Sequence, residues 1–158
     1  MSPGALYRYF PSKDAIIEAI AEEERVGAQA CMAAMAGPGP LVDRMTTVAM
    51  DYLRSARDPE SGGLMVEICS ESLRNTAVGA RFHEIEGEVR STFHEALLSA
   101  QASGEIAGDL DLDAVMTMIF GIGDGLLLRL QLQPDFDLER LAPYLRGVLV
   151  GLLRPASP

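Results

Sequence analysis

Ser2-Pro3-Gly4-Ala5-Leu6-Tyr7-Arg8-Tyr9-Phe10-Pro11-Ser12-Lys13-Asp14 is the stretch on which the reading of the fold turns. Ser2 followed by Pro3 is an N-cap with proline at the first helical position, and Pro11 with Ser12 stops that helix and caps a second one. The spacing predicts a helix of about two turns over residues 2–10, leading through a tight turn into a longer helix. Two turns cannot sustain themselves in water, because nucleation costs more than so few hydrogen bonds return, so tertiary contacts must prop the short helix. Leu6 and Phe10, four apart, face a core. Pro3, Gly4 and Tyr7 then face outward with Arg8 on the flank, a surface of small residues and tyrosine without an acid.

Such a surface suits DNA. Free N–H groups at a helix N-terminus attract phosphate, and small side chains let the backbone approach a groove floor. Tyr7, Tyr9 and Lys13 can hydrogen-bond phosphate oxygens. Ser2, Pro3, Gly4 and Ala5 lie nearest the base edges on this reading, and none of them makes a bidentate pair that names a base. The run Leu6-Tyr7-x-Tyr9-Phe10-x-Ser12-Lys13 resembles the end of the helix-turn-helix in the TetR family of bacterial transcription regulators. That resemblance implies an all-α fold in two parts. Residues 1–36 form the remnant of a DNA-binding head, with the recognition helix at about 2–10 followed by a connecting helix. Residues 37–158 form a helical effector-binding and dimerisation domain. In the family two further helices, roughly forty residues, precede the recognition helix, so the resemblance implies that this sequence opens inside the motif.

The bulk properties agree with an acidic body and a small basic tip. At 158 residues the chain can bury a core without staples, and its 48% hydrophobic content reads as globular. A formal net charge of -10 argues against a nonspecific polyanion binder but leaves room for a local basic tip. Lys13 is the sole lysine. Cys31 and Cys69 stand far apart with no metal or CxxC spacing and read as reduced core thiols, consistent with a cytoplasmic protein. The longest apolar run, 114–123, is interrupted by Asp124 and Arg129, too short for the roughly 20 residues of a membrane span.

Helical periodicity runs through the rest of the chain. Ser12 caps a helix to about Ala36, with Ile16, Ile17, Ile20, Ala28, Cys31 and Met35 inward, and Gly37-Pro38-Gly39-Pro40 ends it. Pro40 opens the next helix, on which Leu41, Met45, Val48 and Tyr52 recur at helical spacing. Asp58 to Gly63 reads as a loop, followed by a helix ending near Asn75. The longest helix is expected over about 76–103, with Val78, Phe82, Ile85, Val89, Phe93 and Leu97 on the inner face and a Glu86–Arg90 pair on the other. Gly104 is its C-cap. A nearly all-apolar helix follows over about 112–133, carrying Gly121, Gly123 and Gly125. A turn at Pro134 to Asp137 leads to a last helix over about 138–153. These two final helices read as half of a four-helix homodimer interface, a reading that the family resemblance repeats.

Candidate sites follow from this layout. A small-molecule effector pocket is expected among Tyr52, Met65, Cys69, Phe82, Phe93, Met116 and Phe120, although ordinary core packing uses the same residues. The expected dimer interface comprises Phe120, Gly123, Leu127, Leu130, Leu141, Leu145, Val148, Leu149 and Leu152. His83 and His94, eleven apart, share a helix face but are too distant to hold one metal, and Asp124 is either solvent-facing or a buried polar contact. No metal, cofactor or catalytic motif is present in the sequence, so an enzyme is not expected. The reading is therefore a DNA-binding regulator, expected to repress and to be released by a largely apolar effector. The alternative is a helical dimerisation and ligand-binding module without DNA binding.

Overall fold

The computed structural model describes residues 30–155, apart from 32 and 58. Helical residues at 30, 31 and 33–35 (α1) lead through Gly37 to Pro40 into α2 (Leu41–Ser55), α3 (Pro59–Ser72), α4 (Thr76–Ser103) and α5 (Leu112–Leu132). A 3-10 helix (Leu138–Leu141) then precedes α6 (Ala142–Leu153). Among the described residues there are helices and no strands, as the all-α reading expects.

Local chemistry sets the boundaries. Asn75 accepts from the Ala77 amide at 3.1 Å to start α4, and Gly104, at φ 77°, ends it in the left-handed conformation that glycine adopts without a steric penalty. Asp111 starts α5 by accepting from the amides of Asp113 and Ala114, each at 3.1 Å. Asp137 caps the 3-10 helix at the Glu139 amide, 3.2 Å away.

Helix α2 is the centre of the body: it packs against α4, α5, α6 and the 3-10 helix, while α3 lies against α4 and α5. Two apolar clusters follow from this. One joins Met35, Leu41, Met45 and Val48 to Phe93, Leu97, Val115, Met116, Leu149 and Leu153, and the other joins Met50 and Leu53 to Leu130, Leu138 and Leu145. Each fully buried leucine or methionine contributes about 1.5–3 kcal/mol relative to exposure, which sustains a helical body without disulfides. At the other end of α2, Gln131 Nε2 donates to Ala56 O at 2.7 Å and Arg54 grips Glu139 with two bonds of 2.9 and 2.8 Å.

Two boundaries differ from expectation. Residues 59–63, expected as loop, form the first turn of α3, with Pro59 at the position where a helix needs no N–H. Gly62 is there for space: a Cβ would overlap Ala56 O and Gln131 Nε2, where the ends of α2 and α5 meet the start of α3. The last helix is divided, because Pro143 cannot donate to a carbonyl four residues back and its ring crowds that carbonyl. The chain makes a 3-10 turn to Leu141 and starts α6 with Pro143 in its first turn.

Helix α5 is, among the described residues, long and apolar enough to cross a membrane by length and composition, contrary to the sequence reading. One side of it nevertheless packs on α2, α3 and α4 as a core helix, and Asp124 and Arg129 are exposed along it.

Candidate functional site

The expected DNA-contacting residues, Ser2, Pro3, Gly4, Ala5, Tyr7, Tyr9 and Lys13, lie outside the described residues, as do Ile16, Ile17, Ile20 and Ala28. Two features of the body carry the remaining expectations: an aromatic and polar seam where α3, α4 and α5 meet, and an exposed apolar face on α5 and α6.

The seam is organised by Phe120. Its ring meets Phe93 edge-on, with centroids 5.8 Å apart, and the Arg90 guanidinium lies 5.1 Å from its centroid. Arg90 reaches Glu86 at 3.9 Å, and Glu86 also lies 3.7 Å from His83 Nδ1. Asp124, one turn beyond Phe120, is exposed as a residue but its carboxyl is partly desolvated against the helix surface, and that partial desolvation, then the negative charge of Glu86, raises it above its ordinary value. Two acids and an arginine therefore border an aromatic surface.

Of the expected pocket residues, Phe93 and Phe120 touch, and Met116 is buried in the same cluster. Met65 and Cys69 are half-buried on α3, Phe82 is half-buried on α4, and Tyr52 is exposed near the end of α2. The Glu86–Arg90 pair was expected on the face of α4 away from the core. It is half-buried, because stacking on Phe120 draws Arg90 inward. The i,i+4 spacing marked the pair, but nothing local marked the aromatic ring waiting on α5. His83 is exposed and His94 half-buried. Cys31 is a free thiol, and burial pushes it up from its ordinary value. Among the described residues no group of three metal-ligating side chains forms.

The second feature is a pair of exposed apolar stripes. The α5 stripe comprises Met118, Gly121, Gly125, Leu128 and Leu132, and the α6 stripe Tyr144, Gly147, Val148 and Gly151, each set at three-four spacing. Leu132 is 62% exposed and Tyr144 74%. A Cβ added to any of the four glycines meets nothing within 4 Å in this chain.

The residues expected at a dimer interface lie for the most part elsewhere than on that face. Leu127, Leu130, Leu145 and Leu149 lie in the chain's own core, where their area is already covered. Phe120, Gly123, Leu141 and Leu152 are half-buried, and of the nine expected residues only Val148 stands on the exposed face. Because α5 is apolar almost all round, its periodicity reveals stripes without showing which stripe faces inward.

The family model described as "Tetracyclin repressor-like, C-terminal domain" matches residues 35–142. The chain belongs to the TetR family. Its relatives are DNA-binding regulators: the HTH-type transcriptional regulator UidR of Escherichia coli (strain K12) is 27% identical over 159 residues, spanning 99% of this chain and 79% of that protein. UidR of Shigella flexneri matches to the same extent. Among solved structures, Salmonella enterica GusR is 30% identical with a TM-score of 0.74, covering 98% of this chain and 79% of its own. The helical architecture above is thus the TetR-like fold, and the TetR membership makes this a DNA-binding transcriptional regulator rather than a member of an enzyme family.

Proposed function

We propose that the chain works as a homodimeric, cytoplasmic repressor released from its operator by a small, largely apolar effector. The observation that carries this reading is the apolar face of α5 and α6. A monomer gains nothing from exposing Met118, Leu128, Leu132, Tyr144 and Val148 together, whereas a second copy covers them by two-fold symmetry. The exposed glycines let the two bodies approach closely.

Dimerisation sets the separation of two recognition helices, each contacting DNA through Ser2, Pro3, Gly4, Ala5, Tyr7, Tyr9 and Lys13. The effector enters the seam among Met65, Cys69, Phe82, Phe93, Met116 and Phe120, with Glu86, Arg90 and Asp124 supplying polar contacts. Release requires that the effector bind the DNA-incompetent state more tightly, and by reciprocity DNA weakens effector binding by the same factor.

Footprinting of the intact gene product on the DNA flanking its own gene, with a panel of apolar small molecules added in turn, tests the proposal. The expected result is a two-fold symmetric footprint that one class of compound abolishes. A footprint that no compound affects would remove the effector, and a footprint without symmetry would remove the dimer.

A further inference from the structure

The segments that meet at residues 35–44 have their helix ends capped from a distance. Pro40 gives α2 no side-chain cap, and the Leu41 amide instead donates to Glu105 Oε1, 64 positions along the chain, at 2.5 Å. One turn into α2, Arg44 donates through its guanidinium to Met35 O, closing the C-terminal end of α1. The start of α2 and the end of α1 are thus held by two charged side chains on opposite sides of the Gly37–Pro40 turn.

Glu105 is itself held rigidly. Its own amide and that of Ile106 donate back to Ala100 O at 2.9 and 3.3 Å, continuing the left-handed cap at Gly104. Gln101 Nε2 donates to Ala107 O and Leu110 O, each at 3.3 Å, and Ile106 is buried in the same cluster as Met35 and Leu41. The Ala107 amide donates to Leu153 O at 3.2 Å, and Arg154 pairs with Asp109 at 2.6 Å. The loop after α4 is therefore fastened to α4 and to α6, and Glu105 is an arm reaching from it. Arg44 is less well satisfied: its Nε is buried without a hydrogen-bond partner. A buried donor left unpaired is destabilising, so this joint is a weak point.

We propose that Glu105 and Arg44 form a two-stage joint that makes the placement of α1 depend on the position of the loop after α4. Glu105 holds the first turn of α2; that turn holds Arg44; Arg44 holds the end of α1. Movement of the end of α4 that withdraws Glu105 frays the first turn of α2 and removes the donor from Met35 O. Glu105 and Arg44 are positioning residues, acting through backbone groups rather than on a ligand. The use of the joint to pass an effector signal toward residues 1–29 rests on the regulator reading above, whereas the joint itself needs neither DNA nor effector.

Hydrogen exchange of this chain, followed by mass spectrometry on peptides covering 30–37, 41–45 and 115–130, tests it. Glu105→Ala is expected to speed exchange at least tenfold in both of the first two peptides and to leave 115–130 unchanged. Glu105→Gln, whose side-chain oxygen still accepts from Leu41, restores wild-type exchange in both. Arg44→Met speeds exchange in 30–37 alone. Glu105→Asp keeps the charge but shortens the arm, and is expected to behave like Glu105→Ala; it carries the test if the alanine variant does not fold. Fast exchange confined to 41–45 in the Glu105 variants, with 30–37 as in the wild type, would overturn the proposal, as would failure of Glu105→Gln to restore protection. Loss of DNA binding or of effector response would bear on the regulator reading alone.

Discussion

Leu128→Ala tests the proposal that Leu128 serves a second copy while its neighbour Leu127 serves the fold. Leu128 is 47% exposed, so about half of its side chain remains for a symmetric partner to cover. Three carbons distinguish leucine from alanine, at about 0.8 kcal/mol each when fully buried, so the half still available is worth about 1 kcal/mol per protomer. Two-fold symmetry counts the loss twice, giving about 2 kcal/mol per dimer, or a dissociation constant raised about thirtyfold. Sedimentation equilibrium over a concentration series reads that shift directly. The neighbouring residue is the control: Leu127 is 2% exposed, and Leu127→Ala is expected to lower unfolding stability by about 2–5 kcal/mol through the cavity it leaves. If Leu128→Ala left the dimerisation constant unchanged while Leu127→Ala raised it without loss of stability, the assignment of the two faces would be inverted.

Three further outcomes follow from particular contacts. Gly62→Ala places a Cβ against Ala56 O and Gln131 Nε2, and is expected to destabilise the chain by about 1–3 kcal/mol in urea unfolding, in contrast to Gly63, whose Cβ position is open. Asp111→Ala removes the acceptor for two amides at the start of α5 and should cost about 1 kcal/mol by the same measurement. Asp124 has its carboxyl raised, so the folded state retains a proton that the unfolded chain has released, and stability falls as pH rises from the ordinary carboxylate range to the raised value. Asp124→Asn is therefore expected to melt higher than wild type at neutral pH and to match it in acid below that window, as followed by thermal circular dichroism.

The sequence made the helices legible wherever a cap or a breaker punctuates an amphipathic run. Asn75, Gly104, Asp111 and Asp137 each do so within a few residues, and α4 and α5 begin and end where those signals stand. It misread residues 59–63, because Gly62, which the close approach of α2 and α5 requires, looks locally like a glycine chosen for a loop. The expected single last helix was divided because Pro143, compatible with a first turn, is incompatible with the interior of a longer helix.

The site was legible in kind but not in direction. Aromatic residues of the seam were recognisable, and Phe93 and Phe120 do meet, yet the stacking of Arg90 on Phe120 depends on the relative rotation of α4 and α5. The outward stripe of α5 was hidden by the helix itself. When both stripes are apolar, only the placement of α2, α3 and α4 shows that Leu127 and Leu130 are spoken for and that Leu128 and Leu132 are free. Glu105 was equally silent, since a cap supplied across 64 positions leaves no local pattern.

The central claim is a symmetric regulator that binds DNA, and one titration tests it most directly. Fluorescence anisotropy of the intact gene product, at fixed salt, would be followed on labelled DNA flanking its own gene and on unrelated DNA of equal length, with the bound stoichiometry read at saturation. The account predicts binding at least a thousandfold tighter to the flanking DNA, in line with the usual gap between specific and nonspecific sites, with an even number of chains bound. Equal affinity for the two DNAs, or a single chain at saturation, would contradict it.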